Sequence, residues 1–542
     1  MRAAAWTALG LLALLLLGAC RAVGPAYQRP DAGVPATFRD EEAACALCAA
    51  DQSWWQVYAD PVLVALVREA VERNQDLEQA AARVEAVRAS IGLARSQGQP
   101  QVDAELGVER RSYSQAGSPF PLSNRVRTSI VAGLGASWEL DLWGRVRRST
   151  EAAWADWQAS EWGRRAVLVS LVAEVASGYL ELLALDWQLA ITRETVLTRR
   201  STLDLFKRRL EGGVGSELEV ARATGDLADV EADVPAFLAL VSQKENQLCL
   251  LLGRMPGPIA RGLPLDAGRT GPQIPPGLTS ELLERRPDVR AAEEQLKAAV
   301  ARVGVAKADR LPRIALTGTA GVQSEDLELL TSSDALAWTL GSNLVGPLLD
   351  GGRRAAQERA AWARAREAQA AWRGAVQSAF RDAADALAVL AQARKVVAAQ
   401  VQQVAARRRG LELATKRFEG DLASYFEVLD AQRELFPAQL QLALAKREEL
   451  VSVVRLYRAL GGGWDSERAQ AAVEPAPPAP APAPAAAQPA APAAPAVAAA
   501  PVAAAQAVPA APAAAQAAAP AAAAVRLPAQ PAVPEAAPAG TR

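Results

Sequence analysis

Histidine is absent from the 542 residues, methionine occurs twice and cysteine four times. Without histidine there is no imidazole base and no histidine metal ligand. No G-x-S-x-G turn, Gly-rich phosphate loop or cluster of metal-ligand residues takes its place, so the chain is expected to be neither an enzyme nor a metal or cofactor binder. Charge of either sign is not in excess: 59 Lys and Arg face 60 Asp and Glu. A net charge of −1 gives no reason to expect nucleic acid as a partner. What is abundant is apolar surface, 51% of residues, enough for a packed chain.

The most informative stretch occurs twice. Arg209 to Ala223, RLEGGVGSELEVARA, returns 208 positions later as RFEGDLASYFEVLDA, with Arg209/Arg417, Glu211/Glu419, Gly212/Gly420, Ser216/Ser424, Glu219/Glu427, Val220/Val428 and Ala223/Ala431 identical. A second block, Asp76 to Gln97, returns at offset 212 as Asp288 to Asp309, so the chain is an internal duplication that loses four residues between the blocks. In each copy of the first block a long helical pattern runs in, a Gly breaks it, and Ser216 or Ser424 is expected to cap the next helix with its hydroxyl. Each copy therefore reads as the tip of a helical hairpin.

Between the blocks the apolar period changes to two. Val102, Ala104, Leu106 and Val108 alternate with polar residues, and the pattern resumes at Val126 to Leu142, Ile314 to Val322 and Leu336 to Leu344. These are four strands, about 101–114, 125–142, 313–323 and 336–346. Alternation fits a soluble sandwich or a membrane barrel, but four strands cannot close a barrel, for which about eight is the minimum. Combined with an exported, anchored chain, this points to a barrel shared between copies, twelve strands for three.

From Arg145 to Leu210, and again from about Arg353, apolar residues fall three and four apart, the spacing of coiled coils, over some 65 residues and roughly 100 Å of helix. The return helices carry Pro235 and Pro437, each expected to kink its helix. The ends are different. Residues 1–19 hold Arg2 and the apolar run Leu9 to Leu17, an export signal, and Leu17-Gly18-Ala19-Cys20 resembles a bacterial lipobox, which implies acylation of Cys20 and anchoring in outer-membrane lipid. Residues 20–57 form an extended segment in which Cys45 and Cys48 read as a small disulfide or free thiols, and Cys249 reads as core. The first repeat spans 58–253, a Pro/Gly linker 254–277, the second repeat 278–463, and residues 464–542 read as a disordered Ala/Pro tail.

Val23-Gly24-Pro25 with Tyr27 and Pro30, Trp54-Trp55 with Asp60-Pro61, Leu252-Gly253, and Leu282-Leu283-Glu284-Arg285-Arg286-Pro287-Asp288-Val289 with Ala292-Glu293 together resemble the TolC-like outer-membrane factor family, in its lipid-anchored branch serving resistance-nodulation-division pumps. The resemblance covers about Ala22 to Trp464. It implies an α+β membrane protein: a homotrimer whose twelve-stranded barrel continues as a periplasmic α-barrel, passively conducting drugs or other small toxic compounds delivered by a periplasmic adaptor and an inner-membrane transporter. It places adaptor contact at the tips, on Gly212, Val214, Ser216, Gly420, Leu422 and Ser424. It places Phe426 and Asp430, four apart on one helix face, at a periplasmic aperture. The first repeat has Leu218 and Arg222 at these positions, and pairing of Arg222 with an acidic neighbour is expected to lock the closed state. A channel for type I protein secretion or heavy-metal export, and a periplasmic coiled-coil lipoprotein without a pore, are the competing classes.

Overall fold

The computed structural model describes residues 22–33, 58, 60–114, 116, 126–265, 285–420 and 422–462. Cys20, Cys45, Cys48, Trp54, Trp55, Leu282 to Glu284 and the 464–542 tail lie outside them. The first repeat consists of α1 (Pro61–Arg73), α2 (Gln75–Ser96), β1 (Gln101–Ser112), β2 (Val126–Leu140), α3 (Arg145–Glu211) and α4 (Glu217–Leu251). In the second, α5 (Pro287–Ala308), β3 (Arg313–Ser324), β4 (Leu336–Val345), α6 (Arg353–Glu419) and α7 (Tyr425–Ala459) follow in the same order. Both long helices, α3 and α6, have 67 residues, which at about 1.5 Å per residue is about 100 Å.

Short polar residues set the helix starts. Asp60 accepts from the backbone N–H groups of Val62 and Leu63, and Pro61 occupies the first helical position, where a missing N–H costs nothing. Asn74 closes α1 and caps α2 through Leu77 N–H at 3.0 Å. Both return helices continue through Pro235 and Pro437, which stand inside them. Each proline is exposed, so the carbonyl left without a donor can be hydrated.

The four strands form one antiparallel sheet in the order β1-β2-β3-β4. Its register puts Val102 opposite Ala136, Ala136 opposite Gly318 and Gly318 opposite Leu340; two residues further, Ala104, Leu134, Ala320 and Trp338 line up in the same way. One face is therefore apolar across all four strands, and the other carries Asp103, Glu105, Thr319 and Thr339. The apolar face is bare: Leu106 and Leu340 are each 80% exposed and Trp338 73%. A sandwich would bury those residues, so the soluble alternative fails.

The main core lies where the two hairpins and α1 meet. It contains Leu171 to Ala184 of α3, Val241 to Leu252 around the end of α4, Trp372 to Leu390 of α6 and Leu450 to Leu460 around the end of α7. Cys249 belongs to it, its thiol donating to Gly257 O at 3.2 Å. So do Ile259 and Leu265, which means that the first half of the 254–277 linker is packed rather than loose. Arg261 ties that half down to Asp186 and Glu245.

The duplication repeats contacts as well as letters. Asn74 donates to Leu251 O at 2.9 Å, and its counterpart Arg286 donates to Ala459 O, the counterpart carbonyl, at 3.1 Å. Arg286 also holds Asp288 at 2.6 Å and Asp382 at 3.2 Å, which explains the arginine and aspartate of the ERRPD motif: together they fasten α5 to α6 and α7. Gly253 and Gly461, both at positive φ, lie against the backbone of Arg73 and Arg285, where a side chain would not fit. Near the sheet, Arg95 sits over Trp154 at 5.5 Å and Lys307 over Trp362 at 5.4 Å.

Candidate functional site: the hairpin tips

At the first tip the chain reverses in a Schellman turn. Gly213 N–H bonds Leu210 O at 3.0 Å and Val214 N–H bonds Arg209 O at 2.9 Å. The residue in the left-handed region is Gly213, at φ +74, while Gly212 keeps φ −77. At the second tip Leu422 N–H makes the equivalent bond to Arg417 O at 2.8 Å.

Restarting the helix is done differently in the two copies. Ser216 caps α4 in a reciprocal box, accepting from Leu218 N–H at 3.2 Å while Glu219 accepts from Ser216 N–H at 2.9 Å. Ser424 occupies the cap position of α7 but its hydroxyl makes no cap bond, which corrects the expectation of a matching pair. Glu427, the counterpart of Glu219, also departs from the first copy, turning to Arg417 at 3.2 Å instead of reaching back to the cap.

Just behind the tips the hairpins are locked together by side chains that the repeat does not share. Phe206 and Phe418 each pack edge-on against Tyr425 with ring centroids 4.8 Å apart, Arg209 lies over Phe418 at 5.7 Å, and the hydroxyls of Thr202 and Tyr425 are 3.0 Å apart. One layer further, buried Arg199 approaches Asp226 and bonds Gln432, while Arg433 also reaches Asp226. Burial, reinforced by Arg433, holds Arg199 below its ordinary pKa despite Asp226. This lock was not foreseen. Its signal was present in the departures from the repeat, Phe418 for Leu210, Tyr425 for Glu217 and Arg433 for Gly225.

The tip residues named from sequence are presented outward: Val214 is 71% exposed, Leu422, its counterpart, 75%, and Gly212, Ser216, Gly420 and Ser424 are exposed too. Phe426 and Asp430 share one exposed face of α7. Arg222 is exposed on α4, and among the described residues neither it nor Asp430 makes an ion pair, so the expected Arg222 lock is not formed within one chain. Nor is any group of three or more acidic or cysteine residues among them arranged to hold a metal ion.

At the opposite end, the N-terminal segment is strapped to the body. Val23 N–H donates to Trp143 O at 3.0 Å beside the base of β2, and Arg148 reaches back to Val23 O at 3.3 Å. Further along, Tyr27 donates to Glu293 at 3.1 Å and Arg29 pairs with the same carboxylate at 3.3 Å. Burial first, and then the Glu293 charge, push the Tyr27 phenol well above its ordinary pKa.

Residues 66–254 and 278–462 match the family described as outer membrane efflux protein. Outer membrane protein OprJ of Pseudomonas aeruginosa is 35% identical over 86% of this chain and 98% of its own length. A protein of Salmonella typhimurium named probable outer membrane lipoprotein SilC is 30% identical over 84% and 98%. Among solved structures, the outer-membrane channel OprN superposes with a TM-score of 0.75 at 32% identity, covering 82% of this chain and 99% of that one.

Proposed function

The chain belongs to the outer membrane efflux protein family and is an outer-membrane efflux channel; from that premise we propose that three copies enclose one conduit, filled at the tips by a periplasmic adaptor working with an inner-membrane transporter of the resistance-nodulation-division class. The observation that carries the reading is the open sheet. Its outer strands β1 and β4 each have one unpaired edge, its apolar face is bare, and backbone groups left unpaired in lipid are costly. Inside the chain the first repeat's β2 pairs with the second repeat's β3, so the same junction between copies joins β4 to the β1 of a neighbour. Three copies of four strands give twelve, and the ring closes.

In such a ring the Thr-rich face that bears Asp103 and Glu105 lines a wet lumen, and the long helices continue the wall into the periplasm. Compounds small enough for the bore, drugs or other toxic molecules, pass down their gradient, and the energy is supplied at the inner membrane. Phe426 and Asp430, repeated three times, form a hydrophobic and an acidic ring at the narrow end. Arg222, unpaired in one chain, is free to meet an acidic group of a neighbour. Val214 and Leu422 are exposed apolar residues at equivalent positions of the two tips and offer an adaptor six similar footholds.

Acylated Cys20 fits the strap. Two residues on in the sequence, Ala22 begins the stretch held at the base of β2, which supports an anchor on that side of the molecule. The test is to purify the protein in detergent and reconstitute it in planar bilayers. Trimers that dissociate only on heating, together with discrete conductance steps, are expected; a monomer that conducts nothing would overturn the reading.

A further inference from the structure

Two hollows lie on one face of the helix layer, and they are copies of each other. The first holds about 250 Å³. There α3 stands between α4 and α7, with Glu174, Ser177 and Glu181 lining the hollow. A shift of 208 positions converts those three into Asp382, Asp385 and Val389 of α6, which line the second hollow, about 400 Å³. Arg455 and Arg458 of α7 line both. The copies differ in what their charges do. In the second, Asp382 is held by Arg286 and Arg381. In the first, Lys244 holds Glu181 at 2.6 Å and Arg455 holds Glu448, which leaves Glu174 and Arg458. Both are exposed, and among the described residues neither side chain makes an ion pair or a hydrogen bond. Gly178, Leu251, Val451 and Val454 line the same hollow, so the two open charges stand beside an apolar bed.

We propose, resting on the three-copy reading above, that the first hollow is a transit site for zwitterions: compounds with a carboxylate and an ammonium at opposite ends of an apolar body. Arg458 takes the carboxylate, Glu174 the ammonium, and the apolar bed takes the body. The volume suits this, since about 250 Å³ exceeds the roughly 150 Å³ that holds a benzene ring. Charges exposed to water hold a ligand weakly, as a conduit requires, because a tight site would retain what has to leave.

The hollow opens on the face that can line a bore. Tyr179 and Asp186 of α3, seven residues apart, hold α1 and the first half of the linker through Asp60 and Arg261. Glu174 and Glu181, also seven apart, lie about 140° and about 160° around the helix from Tyr179, at about 100° per residue. Placed inside, α1 and the linker would obstruct the bore, so they lie outside it and the hollow faces in.

The probe is 4-(aminomethyl)benzoate, which carries both charges on one ring; 4-methylbenzoate and 4-methylbenzylamine each lack one. Saturation-transfer NMR on full-length trimers in detergent is expected to show saturable binding of the zwitterion and binding weaker by roughly tenfold for the other two. Arg458→Gln and Glu174→Gln are each expected to weaken the zwitterion by roughly tenfold. Exchanging the charges, Glu174→Arg with Arg458→Glu, is expected to restore its binding, which a merely misfolded hollow would not do. Asp385→Asn, in the second hollow, is expected to change nothing. In planar bilayers the same probe, added from the sheet side, is expected to interrupt the current through wild-type channels but not through Arg458→Gln. Equal binding of the three probes, or zwitterion binding that survives both single variants or falls with Asp385→Asn, would overturn the site. Binding that leaves the current uninterrupted would put the hollow outside the bore and overturn the transit role. Purely monomeric protein would overturn the three-copy reading beneath it.

Discussion

Two helices of common descent, α2 and α5, sit in different surroundings. Ala298 and Ala301 of α5 are 0% and 1% exposed, while their counterparts Ala86 and Ala89 of α2 are exposed. The difference is not in the sequence, since both positions are alanine in both copies. It lies in what stands beside each helix: α5 is packed between α3 and α6, and α2 has only α3 as a long neighbour. Burial in the second repeat is thus a template for what the first repeat lacks, and on the three-copy reading proposed above the missing piece is another chain.

The strongest way to break that comparison is a charge on each helix. Ala301→Asp buries an unpaired carboxylate and is expected to cost several kcal/mol, roughly enough to prevent folding, so folded protein should not be recovered. Ala89→Asp should leave a folded chain by circular dichroism and abolish trimers on native gels; intact trimers would mean that the α2 face is never covered. Next comes the pair of clasps. Arg286→Ala removes the bonds to Asp288, Asp382 and Ala459 O, but both carboxylates are partly hydrated and Asp382 keeps Arg381, so it is expected to cost about 2–3 kcal/mol, whereas Asn74→Ala, which loses a cap and one hydrogen bond, should cost about 1–2 kcal/mol. Urea unfolding of the two variants measures the ratio, and equal losses would refute the ranking.

At the tips the expected differences are smaller. Ser216→Ala should destabilise the first turn of α4 by about 1 kcal/mol, and Ser424→Ala should leave α7 unaffected, both read by amide exchange at the helix starts. Smallest is the response to acid. Burial alone would raise the Asp382 pKa, but hydrogen bonds from Arg381 and Arg286 outweigh it and hold the carboxyl below its ordinary value. A carboxyl lowered on folding contributes stability above its unfolded pKa and loses it as pH falls through the folded value. The Arg286 clasp should therefore loosen in acid while the Asn74 clasp, which has no carboxylate at that place, does not; protection of the two sets of amides should separate below the usual carboxylate range.

Much of this could be read from the letters because the relevant signals are local or periodic. The alternation at Val102 to Val108 gave β1, the three-and-four spacing from Arg145 gave α3, and the offset of 208 gave both tips. What stayed hidden depends on contacts far apart in sequence. Thr202 and Tyr425 are 223 residues apart, and no window joins them. Arg209 and Arg417 are identical letters, yet one lies over Phe418 and the other pairs with Glu427, because a single change, Leu210 to Phe418, supplies a ring to one and not to the other. Glu219 and Glu427 are identical letters too, yet one closes a capping box and the other pairs with Arg417. Identity between repeats predicts the backbone well and side-chain partners only where the neighbours are duplicated too.

The strap sets an order of events during export. Tyr27 is among the first residues to emerge, but Glu293, which receives it, follows 266 positions later. Val23 meets Trp143 and Arg148 within the first repeat, but the Tyr27 end of the strap must wait for α5. The strap therefore closes in two stages, its Val23 end with the first repeat and its Tyr27 end only with the second.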